Sequence, residues 1–174
     1  MRLLLALTLA LSCSAQDGTV EWDKVVPDLA LKTLEGKDLK LSDFRKSEKA
    51  EGKVLIVHFW SYKCPSGNRI LADVKALAEK CEKEGVGFVG ICAYGETEEQ
   101  LRKFAQENDL KYPLCFDTDK KGAKLFGAKV VTFTCVLDRE GKLVYRGAWE
   151  KAWDAAAAAK DGKEVKERET KAKG

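Results

Sequence analysis

Cys64 is the residue whose type and setting point most directly to chemistry. It follows the apolar run at residues 54–60, and Pro65, directly after it, fits the first position of a helix. Cys64 is therefore predicted at a helix N-cap, where unpaired backbone N–H groups favour the nucleophilic thiolate form of a cysteine. Lys63 adds a positive charge directly before it. The pattern favours a reactive thiol over one that only caps the helix and packs.

The other cysteines show no C-x-x-C pair and no Cys/His metal spacing, so we expect no zinc or other metal site. Cys81 lies farther along the predicted helix, about 25 Å from Cys64, which is beyond disulfide reach. Cys92 ends a strand that should neighbour residues 54–60, so it is a candidate resolving thiol, although buried packing is the favoured role. Packing is also favoured for Cys135, and Cys115 has no informative context.

The elements that must position Cys64 follow an α/β pattern with a central strand buried on both faces. His58, the only histidine, lies inside that strand and is predicted to be a packed, hydrogen-bonded core residue. A β-α-β-α-β-β-α order is predicted: a strand at 54–60, a helix at 65–85, a strand at 86–92, a helix opening at the acidic residues after Gly95, a two-stranded hairpin at 132–146 and a helix at 149–160. A short extended piece at 112–116 and a brief helical segment at 123–126 lie between the second helix and the hairpin.

Four segments are predicted along the 174 residues. Residues 1–15 read as a secretory signal peptide with cleavage after Ala15, 16–25 as a leader, 26–160 as one domain and 161–174 as a charged, flexible tail. The apolar run at 3–11 is too short to span a bilayer, so no membrane segment is expected in the mature form. We expect an exported protein, periplasmic or extracellular, with lipidation at Cys13 as the alternative.

Charge excludes some partners. Lys and Arg number 31 against 28 Asp and Glu, and the two signs are interspersed, so neither nucleic acid nor a membrane surface is expected as a partner.

Several ordered motifs between about residues 26 and 149 resemble the redoxins, the superfamily of thioredoxin-like disulfide reductases and alkyl hydroperoxide reductase/thiol-specific antioxidant proteins. The motifs are Val26-Pro27-Asp28-Leu29, Leu34-Glu35-Gly36-Lys37, Leu41-Ser42-Asp43-Phe44-Arg45 and Phe59-Trp60 before Cys64-Pro65. The resemblance implies a thioredoxin-like fold with a central mixed sheet flanked by helices and an N-terminal hairpin extension. It also implies an active site at Cys64 with the neighbours Trp60, Ser61, Lys63, Pro65 and Thr132.

The chain departs from the family pattern at two places. Gly67 stands where disulfide reductases carry the resolving thiol of C-x-x-C, so no dithiol exchange can occur within this motif. Thr132, or Phe133 if the register slips by one, stands where the family usually has a cis-proline, and we expect a trans bond there with a reshaped substrate groove. A peroxidase loop is matched only in part, because Ser61 fits its hydroxyl position but Val57 replaces its proline.

The leading hypothesis is a thiol-dependent oxidoreductase of the single-cysteine type, in which Cys64 attacks a disulfide or a peroxide. The partners would be protein or small-molecule thiols and disulfides, or a peroxide, with an external thiol as resolver and no cofactor. The alternative is a redox-silent binding module whose groove beside Cys64 holds a peptide.

Overall fold

A seven-stranded mixed sheet forms the centre of the structure, a computed structural model that describes residues 20–172. The strands are β1 (Ala30–Thr33), β2 (Asp38–Lys40), β3 (Leu55–Phe59), β4 (Gly87–Cys92), β5 (Leu114–Phe116), β6 (Phe133–Leu137) and β7 (Leu143–Ala148). Their order across the sheet is β2-β1-β5-β4-β3-β6-β7. The β3–β4 and β4–β5 pairs are parallel and the other pairs are antiparallel, so the predicted mixed sheet is confirmed.

Five α-helices accompany the sheet within the described residues. They are α1 (Pro65–Arg69), α2 (Leu71–Lys83), α3 (Glu98–Glu107), α4 (Lys121–Phe126) and α5 (Ala152–Lys160), with short 3-10 helices at Leu41–Phe44 and Trp149–Lys151. None of the helices within residues 20–172 has the length and apolar character needed to cross a bilayer.

The N-terminal hairpin predicted before the central strand is present as β1 and β2. Ala30 pairs with Lys40 and Lys32 with Asp38, and Gly36 takes the left-handed conformation that the turn requires, with φ of +79°. Strand β1 also pairs with β5, so the hairpin extends the sheet. The signal peptide, Cys13 and residues 16–19 of the leader lie outside the described residues.

Strands β3 and β4 lie in the middle of the sheet, and every residue in both is buried. They run parallel in a register that pairs Leu55 with Gly87 and Phe59 with Ile91. The carboxyl ends of the two strands therefore meet at one edge of the sheet, where open α/β folds place their ligands. The loops that follow Phe59 and Cys92 both start at this edge.

The helix predicted to run unbroken from Pro65 is interrupted. Ile70, with φ of −96° and ψ of 2°, separates the five-residue α1 from α2. Ser66, Gly67 and Asn68 all have low helix propensity, so the first turn gains little from continuing straight into the second helix. Helix α2 itself buries Val74, Leu77, Ala78 and Cys81, which recur at helical spacing.

His58 packs in the core as the sequence predicts. Its side chain is buried, and Nδ1 lies 2.8 Å from the hydroxyl of Thr134 on β6. Burial disfavours the charged imidazolium and lowers the pKa of His58 to about 3. The ring is therefore neutral at physiological pH and has a structural role.

The C-terminal segment packs against the domain, which differs from the expected flexible tail. Val165 is buried, and residue 146 of β7 forms two backbone hydrogen bonds with the tail, to the carbonyl of Arg168 and from the N–H of Thr170. The Thr170 hydroxyl lies 2.5 Å from the Tyr145 hydroxyl and accepts from the N–H of Ala148 at 2.8 Å. Composition predicted mobility because the tail is poor in apolar residues, but backbone pairing with an edge strand does not depend on composition.

The tail also meets the N-terminal end of the described chain. Arg168 forms a bidentate ion pair with Asp23, with N–O distances of 2.8 and 2.9 Å. The guanidinium groups of Arg146 and Arg168 both lie over the ring of Trp22, at 4.8 and 4.7 Å from its centroid. These charge and cation–π contacts fix the tail beside β7.

Candidate functional site

Cys64 occupies the N-cap of α1, in the position that the sequence predicts. Its backbone is extended, with φ of −87° and ψ of 124°, and Pro65 takes the first helical position. The carbonyl of Cys64 accepts the N–H of Asn68 at 3.1 Å, and its thiol makes no capping hydrogen bond within the described part of the chain. Cys64 is also partly exposed, whereas the other cysteines of the described region are buried.

Ser61 organises the loop between β3 and Cys64. Its carbonyl oxygen accepts the N–H of Cys64 at 3.3 Å, and its hydroxyl oxygen accepts the N–H of Lys63 at 3.2 Å. The same hydroxyl donates to a carboxylate oxygen of Glu96. Two residues of this short loop, Lys63 and Cys64, are therefore hydrogen-bonded to one buried serine.

Glu96 is a site residue that the sequence interpretation missed. It is only 3% exposed, and its second carboxylate oxygen accepts a hydrogen bond from the Cys92 thiol at 3.0 Å. The sequence suggested that Glu96 opens the following helix, but α3 begins at Glu98 with Thr97 as its N-cap. The available signal was the position of an acidic residue shortly after β4, at the sheet edge from which the Cys64 loop also leaves.

Lys63 connects the same two loops from the solvent side. Its exposed amine donates to the carbonyl of Gly95 at 3.1 Å. Lys63 is next to Cys64 in the sequence, but its charged amine is held against the loop that carries Glu96. Two contacts, one buried and one exposed, join the loops after β3 and β4.

Gly67, at the position of the absent resolving thiol, is buried and closely packed. A Cβ built on Gly67 would lie 2.4 Å from the carbonyl oxygen of Ser61. Contacts this short require the backbone to move, so a larger residue does not fit in this arrangement. The packing of the loop therefore excludes a cysteine at position 67 unless the backbone moves.

Thr132 lies directly before β6, and no cis peptide bond occurs among residues 20–172, as expected for a threonine at this position. Its φ is +70°, a left-handed conformation that is rare for a β-branched residue. The N–H of Thr132 donates to the carbonyl of Phe59 at 2.8 Å, and the Tyr94 hydroxyl donates to the carbonyl of Val130 at 3.0 Å. These bonds hold the loop at the carboxyl end of β3, where the Cys64 loop also begins.

Aromatic rings pack beneath the Cys64 loop. Trp60 is buried with its ring centroid 5.6 Å from that of Phe104 on α3, and Tyr62 stacks on Phe104 at 4.9 Å. Both loop residues are thus anchored to the same helix. Pro65 is exposed beside Cys64.

The remaining described cysteines are free and buried. Burial raises the pKa of Cys81 and of Cys115 to about 12, and it raises that of Cys135 further. Burial also raises the pKa of Cys92, and the hydrogen bond to Glu96 and its negative charge act in the same direction. The structure therefore presents Cys92 as a protonated interior thiol, and its role as a resolving thiol stays a prediction.

No group of three His, Cys, Asp or Glu side chains between residues 20 and 172 is arranged to hold a metal ion. The chemistry available at this sheet edge is that of one accessible thiol and a buried carboxylate.

Comparison with known proteins agrees with this description. Residues 23–146 match the model of the AhpC/TSA family. The chain is 25% identical over 130 residues to the thiol-disulfide oxidoreductase ResA of Bacillus cereus, covering 75% of this chain and 71% of ResA. It is 30% identical over 130 residues to the thioredoxin-like protein YneN of Bacillus subtilis, covering 74% and 72%.

A solved structure supports the same fold. The exposed lipoprotein thioredoxin Etrx1 of Streptococcus pneumoniae superposes with a TM-score of 0.63 at 22% identity, covering 77% of this chain and 98% of Etrx1. The predicted resemblance to the redoxins and the predicted thioredoxin-like fold are both confirmed. The chain belongs to the AhpC/TSA family.

Proposed function

We propose that this protein is an exported thiol-disulfide oxidoreductase in which Cys64 is the single nucleophile. One observation carries the proposal: Cys64 is partly exposed at a helix N-cap, whereas the other cysteines of the described region are buried. The name of the related ResA proteins, thiol-disulfide oxidoreductase, supports a disulfide substrate.

The reaction follows from a single accessible thiol. The Cys64 thiolate attacks one sulfur of a substrate disulfide, which forms a mixed disulfide and releases the other sulfur as a thiolate that takes a proton from water. An external thiolate then attacks the substrate sulfur of that mixed disulfide. Cys64 leaves as a thiolate, and the substrate sulfur is now bonded to the external thiol, so electrons and protons balance over the two steps.

Gly67 makes the external thiol necessary in this scheme. Without a thiol at position 67 the mixed disulfide has no resolving partner within the motif, and Cys92 is buried with its proton held by Glu96. The mixed disulfide should therefore persist until a small-molecule or protein thiol reaches it. Trp60, Ser61, Lys63, Pro65 and Thr132 would shape the surface around it.

A disulfide is a better candidate substrate than a peroxide. The Ser61 hydroxyl, at the position expected to contact a peroxide, instead donates a hydrogen bond to Glu96. The hydroxyl oxygen also accepts the N–H of Lys63, so the group is already engaged on both sides.

Export is proposed from residues 1–15 together with the names of similar proteins. The Streptococcus pneumoniae structure is described as an exposed lipoprotein thioredoxin. Fusion of residues 1–25 to a reporter that is active only outside the cytoplasm tests this point. A reporter that stays inactive would contradict export.

The redox function is tested by reacting the reduced protein with a small mixed disulfide and locating the adduct by intact mass and peptide mapping. The wild type should carry one adduct, at Cys64, which an added thiol removes. Cys64→Ser should lose both the adduct and the exchange activity, whereas the matched control Cys81→Ala, a buried thiol on α2, should retain both. If neither the wild type nor Cys64→Ser exchanges disulfides faster than the uncatalysed reaction, the redox-silent binding module replaces this proposal. Exchange by Cys64→Ser as fast as an active wild type would assign the nucleophile to another thiol.

A further inference from the structure

Glu96 joins the loop that carries Cys64 to the end of β4 through contacts that the proposed reaction does not explain. Its side chain is nearly inaccessible, and burying a carboxylate costs free energy unless hydrogen bonds compensate it. Both oxygens have a donor: one accepts from the Ser61 hydroxyl and the other from the Cys92 thiol. A carboxylate placed this way constrains two groups at once.

Ser61 transmits the constraint to Cys64. The Ser61 carbonyl accepts the Cys64 N–H at 3.3 Å, and the Cα of Gly67 packs against the same carbonyl, as the crowding of a Cβ there shows. A rotation of Ser61 away from Glu96 would therefore displace both the N-cap and the first turn of α1. The amine of Lys63, bound to the carbonyl of Gly95, holds the outer side of the same junction.

Glu96 also opposes ionisation of the Cys92 thiol. Its thiol proton is directed at Glu96, so loss of that proton would place a thiolate 3.0 Å from a carboxylate oxygen inside the protein. Two like charges at that separation in a buried site repel strongly. Nucleophilic attack by Cys92 is therefore opposed by the same group that steadies the Cys64 loop.

We propose that Glu96 is a positioning residue that assigns different roles to the two thiols: it fixes the Cys64 loop through Ser61 and keeps Cys92 protonated. The proposal rests on Cys64 being the nucleophile and extends it to the residue that holds this nucleophile in place.

The first test measures the rate at which reduced protein reacts with a pyridyl disulfide at Cys64. Glu96→Gln and Ser61→Ala should each slow this reaction about tenfold, the size of one hydrogen bond to a charged group. Because the two residues act through one contact, the double variant should be no slower than the slower single variant. Glu98→Gln, which removes an exposed carboxylate two residues farther on, is the matched control and should leave the rate unchanged. Single-variant effects that multiply in the double variant would overturn the proposal.

The second test observes the thiol of Cys92 without any activity measurement. The Raman S–H stretching band of Cys92, identified by its loss in Cys92→Ser, should move to higher frequency in Glu96→Gln because the acceptor loses its charge. A band that does not move would show that Glu96 does not hold the Cys92 proton. If Cys64 proves unreactive while this band shifts as expected, the proposed function fails but the contact stands, so the two failures are distinguishable.

A conservative variant covers the case in which Glu96→Gln does not fold. Ser61→Thr keeps the hydroxyl that donates to Glu96, whereas Ser61→Ala removes it. The threonine variant should react at close to the wild-type rate, and a threonine variant as slow as Ser61→Ala would contradict a role for this hydroxyl.

Discussion

The Cα of Gly67 packs directly against the carbonyl oxygen of Ser61, leaving no room for a side chain at position 67. This contact joins the first turn of α1 to the loop that precedes Cys64. It has a direct consequence for attempts to rebuild a C-x-x-C motif here.

Gly67→Cys should therefore fail to produce an efficient dithiol enzyme. The new Cβ forces the backbone to move, and overpacking of this kind typically costs about 1–3 kcal/mol of the free energy of unfolding. Urea unfolding of the reduced protein measures the loss, and Ser66→Cys, on the same turn and already bearing a Cβ, is the control. A stable Gly67→Cys variant that reduces insulin rapidly would contradict this prediction.

Thr132→Pro, which restores the residue usual in the family, should destabilise the protein by about 3 kcal/mol or more. Proline fixes φ at about −65°, whereas position 132 has φ of +70°, and proline lacks the N–H that donates to the carbonyl of Phe59. Thermal and urea unfolding measure the effect. Thr132→Ala keeps the N–H, so a loss of equal size in that variant would show that the proline constraint is not responsible.

The burial of His58 predicts acid sensitivity. Its pKa is about 3 in the folded protein and about 6.5 when unfolded, so below pH 6.5 the unfolded state binds the extra proton. The contribution of His58 to stability is complete above pH 6.5 and decreases by about 1.4 kcal/mol per pH unit as the pH falls towards 3. Urea unfolding between pH 7 and pH 4 tests this against His58→Gln, which should show a shallower decline. Equal slopes for both proteins would refute it.

Gly147→Ala should detach the C-terminal tail from β7. A Cβ at position 147 would lie 2.2 Å from the carbonyl oxygen of Thr170, so the tail must move to accommodate it. We expect faster proteolysis within residues 163–172 and lower thermal stability. Gly36→Ala, also at a positive φ but with open space around its Cβ, controls for backbone strain. Unchanged proteolysis of the tail would show that the contact is not needed.

Local pattern was enough to place Cys64 at the helix N-cap. The buried strand, Cys64 and Pro65 are adjacent in sequence, so the strand, the N-cap and the first turn could be predicted without knowledge of distant contacts. The departures at Gly67 and Thr132 could be recognised because the resemblance to the redoxins supplies the residues usual at these two positions. Their structural basis, a carbonyl against Gly67 and a left-handed backbone at Thr132, depends on packing that no single segment encodes.

Glu96 could not be found this way because its partners come from elsewhere in the chain. Ser61 lies 35 residues earlier, and only the parallel pairing of β3 with β4 brings the two loops together. Composition also misled at the C-terminus, where few apolar residues suggested mobility. The tail is held mainly by backbone hydrogen bonds and guanidinium contacts, which hydrophobic content does not report.

The pairing of Arg146 with residues 168 and 170 also bears on how molecules of this protein meet one another. Strand β7 is the last strand on its side of the sheet, and outer strands with open amides and carbonyls are where separate sheets fuse into aggregates. Here the segment at residues 168–170 already occupies the amide and carbonyl of Arg146 and the amide of Ala148. This segment therefore limits pairing between β7 strands of different molecules. Concentrated solutions should resist aggregation through β7 only while roughly the last ten residues stay bound to that strand.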